Sequence, residues 1–234
     1  GGRQGITEAI RYPDDYDGVI AGAPVYTPLT YANAMLRVQM FHARPESNLA
    51  PEHVPLIHAA ILSACDTDDG VADGIITEPR KCAWDPGELQ CTGSSGESAE
   101  CLTAAQVETV RRVYAGIRMR DGRFAAMPLM RGGESDWVAR MIGTPAQPRG
   151  VNALLGAPFM GAIAVGKRDY DFMTFDPDRD WHVLDGGIAA AEVHQVNPKI
   201  APFVQRGGDP RLSRSQLRAQ RPEPKPPSAT LRPG

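Results

Sequence analysis

Residues 65–76 have the sequence CDTDDGVADGII, in which four aspartates fall within eight positions and two glycines allow the backbone to bend. Like charges at this density repel one another unless a cation neutralises them. Carboxylate and carbonyl oxygens at close spacing suit calcium, a hard cation that accepts a mixture of oxygen ligands. A solvated acidic turn is the alternative, since aspartate and glycine are also common turn residues. The stretch predicts a calcium loop, with the exposed turn as its competing interpretation.

The spacing differs from that of an EF-hand. If Asp66 is position one, the glycine falls at position five and Glu78 at position thirteen, whereas the motif requires positions six and twelve. The loop is flanked instead by Cys65 and Cys82. A disulfide between them would enclose the acidic residues and, by loop-closure entropy, stabilise the fold by about 3 kcal/mol.

All four cysteines lie between positions 65 and 101. A zinc site would need cysteine pairs two to four residues apart with a supporting histidine, and this segment has neither. Cys91 and Cys101 flank the polar residues 92–100, much as the first pair flanks the acidic loop. We therefore expect two local disulfides and an oxidising compartment.

The composition limits the classes of partner. With 234 residues, 42% of them hydrophobic, the chain can bury the core of one large domain or two modest ones. The formal net charge of −3 gives no reason to expect a nucleic acid or an anionic membrane. The sequence contains no run of eighteen apolar residues, so no membrane span is predicted. The start at Gly1-Gly2-Arg3 has no initiator methionine or signal peptide, and we interpret it as a cut.

The first 25 residues predict one piece of an α/β sheet. Residues 4–12 have helical spacing of apolar side chains, and Pro13 ends the helix. Residues 19–21 form a short apolar run between turn residues, which is typical of a buried parallel strand. The pair Gly1-Gly2 directly before the helix allows a tight strand-to-helix turn, as in a nucleophile elbow.

The rest of the chain predicts mainly helices and loops. Thr103 and Gln106 form a capping box ahead of a helix. Residues 117–165 predict loops, and residues 172–175 a short strand or extended segment. Residues 176–180 predict a turn in which an arginine compensates the aspartates, with a second ion site as the competing interpretation. Helical stripes of apolar residues occur at 31–38, 54–61, 107–114 and 197–208.

Residues 211–234 have six basic residues, one acid and five prolines. With almost nothing apolar to bury, this composition is typical of a disordered tail. A non-native end is the other interpretation, and we attach no function to the segment.

Several motifs together resemble the tannase and feruloyl esterase family. They are GGRQGITEA at residues 1–9, RYPDDYDGVIAGAP at 11–24, CDTDDGVADGII at 65–76, LTAAQV at 102–107 and the segment 197–208 that ends FVQRGG. The resemblance covers residues 1–208 in order and does not extend to 210–234.

The resemblance implies an α/β fold, namely part of an α/β-hydrolase core with a large, mainly helical and loop-rich lid domain inserted in it. Residues 1–26 and 191–209 would belong to the core, 27–190 to the lid, and 210–234 to a disordered or non-native basic, proline-rich tail. The family pairs its cysteines as Cys65–Cys82 and Cys91–Cys101. Its structural calcium ligands map onto the carboxylates of Asp66, Asp69 and Asp73 and the main-chain oxygens of Val71 and Ile75.

The implied activity is that of a serine carboxylic ester hydrolase, secreted or periplasmic, which cleaves hydroxycinnamate, gallate or related aromatic esters through an acyl-enzyme. The esters would be small molecules or derived from plant polymers. The family's nucleophilic serine would lie two residues before Gly1, so we expect no catalytic residue within this fragment and no activity from it. His182 and His194 are interpreted as surface or structural residues. A calcium-stabilised binding module without catalysis is the alternative. The sequence also contains a cluster of apolar residues: Leu154, Leu155, Phe159 and Met160. We interpret this cluster as part of the hydrophobic core, and its competing interpretation is a wall of the substrate pocket.

Overall fold

The computed structural model describes residues 1–23, 28–92, 99–186 and 200–212. The chain divides into two compact units, one made of Gly1–Thr27 and His194–Gly234, the other of Pro28–Val193. The assignment of the second unit as a lid stays a prediction. The helices are α1 Gly2–Arg11, α2 Pro28–Phe41, α3 His53–Cys65, α4 Ala104–Ala115, α5 Gly150–Pro158, α6 Pro177–Asp185 and α7 Ala201–Gln205. The strands are β1 Gly18–Ala21, β2 Ile117–Arg118, β3 Phe124–Ala126, β4 Gly143–Thr144, β5 Gln147–Pro148 and β6 Asp209–Leu212.

In the first unit, α1 packs closely on the strand that follows it. β1 pairs in parallel with β6, from Gly18 opposite Asp209 to Ala21 opposite Leu212. A Cβ atom at Gly5 would lie 3.2 Å from Cγ1 of Val19, so the absence of a side chain lets helix and strand approach. The predicted opening of helix, turn and parallel strand is confirmed.

The prediction that the strand at 19–21 is buried was wrong for its central residue. Ala21 is buried, whereas Ile20 is 84% exposed. Successive strand residues face opposite sides of a sheet. The face that carries Ala21 is covered by α1, and within the described part of the chain no helix covers the other face. A parallel strand is fully buried only where other elements cover both faces of its sheet.

Strand β6 extends three residues into the segment 210–234, whose assignment as a tail stays a prediction. β6 continues to Leu212 because its backbone pairs with β1. The sequence of this strand, DPRL, has little strand propensity, so the pairing partner and not the local composition decides its conformation. Residues 213–234 lie outside the described residues.

The second unit contains the main hydrophobic core, which α2, α3 and α4 build from their predicted apolar stripes. The ring of the fully buried Trp137 lies 5.2 Å from that of Phe41 and 5.7 Å from that of Tyr114, which joins α2 to α4. Buried stripe residues include Met35, Val38, Val54, Ile57, Ile61, Val107, Val110 and Val113.

The capping box of α4 is confirmed. The Gln106 amide N–H donates to the Thr103 hydroxyl at 3.2 Å, and the Thr103 amide N–H donates to the Gln106 side-chain oxygen at 2.9 Å. The helix ends before Gly116, whose φ of 72° is readily adopted only without a side chain.

The loops predicted for 117–165 were wrong in part, because the segment forms two short antiparallel pairs, β2–β3 and β4–β5, followed by α5. Two wider, π-type turns also occur, at Val138–Ile142 and Phe159–Val165. Glycine and proline hid the helical period here, since Pro158 lies inside α5.

The short strand predicted for 172–175 is a 3₁₀ turn at Phe172–Thr174. The aspartate turn after it is the start of α6, because the Asp176 carboxylate caps the amides of Asp178 and Arg179. Arg179 does pair with Asp180, with an N–O separation of 2.6 Å.

In the segment 197–208, residues 197–199 lie outside the described part. α7 follows from Ala201, buries Phe203 and ends before Gly207, whose φ is 99°. Of the helices that the structure describes, none has the length and apolar character needed to cross a bilayer.

Candidate functional site

The acidic loop begins where α3 ends. Asp66 starts a 3₁₀ turn that runs to Asp69, and Gly70 then reverses the chain with a φ of 92°. Gly74 makes a second reversal with a φ of 79°. Only glycine adopts such angles without strain, so the two glycines determine how the loop curls.

Both predicted disulfides are confirmed. The Cys65–Cys82 bridge closes the base of the acidic loop, with a Cα–Cα distance of 5.6 Å. The Cys91–Cys101 bridge closes the following segment, with a Cα–Cα distance of 5.0 Å. The two bridges together use all four cysteines of the sequence.

Three aspartates of the loop hold its backbone through local hydrogen bonds. The Asp66 carboxylate accepts from the Gly74 amide at 3.0 and 3.2 Å, which joins the two ends of the turn. The Asp69 carboxylate accepts from the Val71 amide at 3.0 Å, and the Asp73 carboxylate accepts from the Ile75 amide at the same distance. Side chains of this type compete effectively for nearby backbone amides.

Thr77 is a loop residue that sequence reasoning missed. Its hydroxyl donates to Oδ2 of Asp69. This hydrogen bond, followed by that from the Val71 amide, lowers the pKa of Asp69 below its ordinary value. A threonine eleven residues after Asp66 matches no known spacing rule, so the pattern alone had no signal for it. Asp68, Asp69 and Thr77 line a small cavity of about 260 Å³ with Lys81.

The donor chemistry of the loop fits calcium, because every predicted ligand offers oxygen. Hydrogen bonds to a ligating carboxylate also orient it, and Asp66, Asp69 and Asp73 each accept at least one. The geometry is less complete. Among the described residues, no three carboxylate, imidazole or thiolate side chains converge closely enough to hold a metal ion. The ligand set of Asp66, Asp69, Val71, Asp73 and Ile75 stays a prediction.

A buried carboxylate beneath this region was not foreseen. Glu134 is completely buried. Its Oε1 accepts from the Tyr114 hydroxyl at 2.7 Å, its Oε2 lies 2.9 Å from Nδ1 of His58, and both oxygens lie 3.0 Å from the Gly132 amide. A buried carboxylate is tolerated only with such partners. Sequence shows Glu134 as one charged residue in a polar segment, which is why it was missed.

The network joins three segments next to the acidic loop. His58 belongs to α3, which leads into the loop, and Tyr114 belongs to α4. A Cβ atom at Gly132 would lie 3.4 Å from the side chain of Ile76, the residue that closes the loop sequence. Burial, with the charge of Glu134 added to it, raises the pKa of Tyr114 far above its ordinary value. The phenol therefore remains a hydrogen-bond donor.

Of the two histidines interpreted as surface or structural residues, the structure describes His182. His182 is exposed on α6, and its Nδ1 lies 3.0 Å from the carbonyl oxygen of Arg179 in the same helix. His194 lies outside the described residues. Of the proposed apolar cluster, Met160 is fully buried, whereas Leu154 and Leu155 are 60% and 69% exposed.

A model of the family described as tannase and feruloyl esterase matches residues 1–164. The chain belongs to this family. The resemblance noted in the sequence is therefore confirmed, and the family's members are carboxylic ester hydrolases.

Curated proteins that are similar in sequence to this chain include fungal and bacterial esterases. It is 38% identical over 224 residues to a probable feruloyl esterase B-2 of Aspergillus flavus, covering 89% of this chain and 38% of the relative. It is 32% identical over 220 residues to an uncharacterised esterase of Xanthomonas campestris pv. campestris, with the same coverage. The chain spans about two fifths of the length of these relatives.

Solved structures of the family share the fold. Feruloyl esterase B from Aspergillus oryzae matches with a TM-score of 0.71 and 26% identity, over 91% of this chain and 41% of that one. A tannin acyl hydrolase from Aspergillus niger matches with a TM-score of 0.62 and 19% identity, over the same shares, and indicates the fold alone. These neighbours have α/β-hydrolase-like folds, which agrees with the fold class predicted from the sequence.

Proposed function

We propose that a protein containing this chain hydrolyses aromatic carboxylic esters, with hydroxycinnamate, gallate or a related acid as the acyl group. The observation that carries the proposal is the family match over residues 1–164. Relatives at 38% and 36% identity are named as probable feruloyl esterases. Because the chain covers only 38% and 39% of these relatives, the activity is proposed for a longer protein of which this chain is a part.

The proposed mechanism is acyl transfer to a serine. The serine attacks the ester carbonyl while a histidine, oriented by an aspartate, takes its proton, and water then hydrolyses the acyl-enzyme. By the family resemblance, the serine precedes Gly1 by two residues. The packing of α1 supports an elbow at this place, since Gly2 is buried and Gly5 lies close against β1. These contacts bring a helix directly onto the sheet, as a strand–turn–helix nucleophile site requires.

We further propose that the unit Pro28–Val193 is the lid, and that it holds a structural calcium ion in the acidic loop. The carboxylates of Asp66, Asp69 and Asp73, with the main-chain oxygens of Val71 and Ile75, would bind the ion. When bound, the ion neutralises the crowded aspartates. The disulfide Cys65–Cys82 closes the base of the loop, and the hydrogen-bond network around Glu134 holds α3, the helix that leads into it.

The hydrolase proposal is tested with methyl ferulate, methyl gallate and a chromogenic aryl ester. We expect the longer protein to hydrolyse at least one of them, and substitution of its motif serine by alanine to abolish turnover. The chain 1–234 alone should not exceed a heat-denatured control. Turnover by residues 1–234 would place a nucleophile inside this chain and contradict the proposed site. Inactivity of the longer protein on all three esters would contradict the function.

The calcium proposal is tested by elemental analysis and by melting temperature with and without chelator. An ion present at a hundredfold excess over its dissociation constant stabilises the fold by about 2.7 kcal/mol, so chelation should lower the melting temperature by several degrees. Asp69→Asn should remove this shift, whereas the matched change Asp169→Asn, at an exposed residue away from the loop, should retain it. No bound calcium and an unchanged melting temperature would refute the proposal.

The same disulfides support a secreted or periplasmic location, since such bridges persist in oxidising compartments. Fractionation of cells that express the longer protein tests this. Recovery in the cytoplasm with four reduced thiols would be the contrary result.

A further inference from the structure

Arg149 has a backbone conformation that side chains rarely adopt. Its φ is 65°, and it lies between β5 and the first residue of α5. A Cβ atom at Gly143 would overlap the Arg149 amide nitrogen, and one at Gly150 would overlap the backbone of Arg140. The surrounding chain therefore holds Arg149 in place. A strained residue that the fold holds in this way is a reason to look for a ligand nearby.

The arginine borders a polar cavity of about 450 Å³ that Arg112, Gln39 and His42 also line. Neither guanidinium pairs with a carboxylate anywhere in the described part of the chain, and no acidic residue lines the cavity. Guanidinium groups remain charged at all accessible pH values. Both arginine side chains are exposed, and their two permanent positive charges border one cavity that has no carboxylate among its lining residues.

His42 does not add a third charge. Burial lowers the pKa of its imidazole, and the positive charge of Arg149 lowers it further. Its Nε2 lies 2.9 Å from the Met141 carbonyl oxygen, so this nitrogen carries the proton and donates it. The imidazole is therefore a neutral wall of the cavity at pH 7.

Arg149 also borders a second cavity, of about 490 Å³, that is largely apolar. Pro148, Leu154 and Phe172 line it, and Leu154 is 60% exposed. Phe172 lines the apolar cavity and the next residue, Met173, lines the polar cavity. The two cavities are therefore neighbours both at Arg149 and at Phe172–Met173. An apolar pocket with a few convergent polar groups is the usual architecture of a small-molecule site.

We propose that the two cavities together bind a small amphipathic carboxylate, with its apolar body against Leu154 and Pro148 and its carboxylate on Arg149 and Arg112. The planar guanidinium fork matches a carboxylate in geometry as well as charge. An inorganic anion would leave the apolar half empty, and a neutral apolar molecule would leave the arginines unpaired. The inference goes beyond the proposed hydrolase activity, because it concerns binding of an acid and not cleavage of an ester.

The test is calorimetric titration of the 234-residue chain with three probes. Cinnamate has both the apolar body and the charge, cinnamyl alcohol has the body alone, and acetate has the charge alone. We expect saturable binding of cinnamate with a dissociation constant of about 1 mM or tighter. Each of the other probes should bind at least about tenfold more weakly, since cinnamyl alcohol lacks the carboxylate and acetate lacks the apolar body.

Two variants locate the site. Arg149→Gln should weaken cinnamate binding by at least about tenfold, the usual effect of losing a charged hydrogen bond. Arg120→Gln makes the same charge change at a side chain that is 90% exposed and lines neither cavity, so it should leave binding unchanged. Circular dichroism of both variants verifies that they fold.

Three results would overturn the proposal: no saturable cinnamate binding, equal binding by Arg149→Gln, or equal affinity for acetate and cinnamate. The last would show a site for small anions in general. None of these readouts uses an ester, so failure here is distinguishable from failure of the proposed hydrolase function.

Discussion

The Glu134 carboxylate accepts hydrogen bonds from three separate segments of the chain while completely excluded from solvent. Its partners Tyr114 and His58 come from α4 and α3, and Arg131 lies over the Tyr114 ring with 4.5 Å to the centroid. Removal of one member of a buried polar network leaves the others without partners, which costs more than the net value of the hydrogen bonds themselves.

We predict that Glu134→Ala lowers the free energy of unfolding by about 3–5 kcal/mol, because His58, Tyr114 and the Gly132 amide lose their acceptor. Glu134→Gln retains one acceptor oxygen and should cost less, about 1–3 kcal/mol. Urea denaturation measures both. Glu108→Ala, at an exposed position of α4, is the matched control and should change the free energy by no more than about 0.5 kcal/mol. Equal values for Glu134→Ala and the control would contradict the network.

Among the elements, α4 has the most complete start signal. Both hydrogen bonds of its capping box form, and its apolar face joins the main core. The Gln106 side chain also donates to the Asn48 carbonyl at 3.0 Å, and the Thr109 hydroxyl donates to the Ser47 carbonyl at 3.0 Å. The cap therefore also attaches the helix to the segment that precedes α3.

Loss of this cap should be measurable. Thr103→Ala leaves the Gln106 amide without its acceptor, so we predict a decrease of about 1 kcal/mol in the free energy of unfolding. Thr103→Ser keeps the hydroxyl and should recover most of that loss. Urea denaturation of the two variants beside the parent chain provides the comparison, and indistinguishable midpoints for alanine and serine would show that the hydroxyl is not the stabilising group.

For the whole molecule, the distribution of buried apolar residues between the two units is unequal. The main core cluster lies within residues 32–184. In the first unit, the buried apolar residues among those described are Ile6, Ala9, Ala21 and Phe203. The described residues of this unit form a sheet of two strands, and an isolated pair of strands is marginally stable at best.

Hydrogen exchange followed by mass spectrometry should therefore separate the two units. Amides of α2, α3 and α4 are predicted to exchange slowest, and those of α1, β1 and β6 roughly a hundredfold faster or more, because local opening there exposes less apolar surface. In a longer protein that supplies further strands, protection of β1 should rise. Uniform protection across residues 1–234 would contradict this difference.

Local patterns in the sequence were sufficient for features whose partners lie close along the chain. The apolar stripes of α3 and α4, the capping box at Thr103, the opening α/β piece and the two short-range disulfides all follow from side-chain spacing over a few residues or from a recognisable motif. Each depends on interactions within one helix, one turn or one loop, and such interactions are encoded by residues that are neighbours in sequence.

Features that join distant residues were decided by the tertiary structure alone. Glu134 meets His58 across 76 positions, and DPRL becomes a strand only because β1 lies beside it. The adjoining cavities at Arg149 combine side chains from α2, α4 and the start of α5. The physical reason is the same in each case: burial, strand pairing and cavity shape depend on which segments pack together, and no local period records that choice.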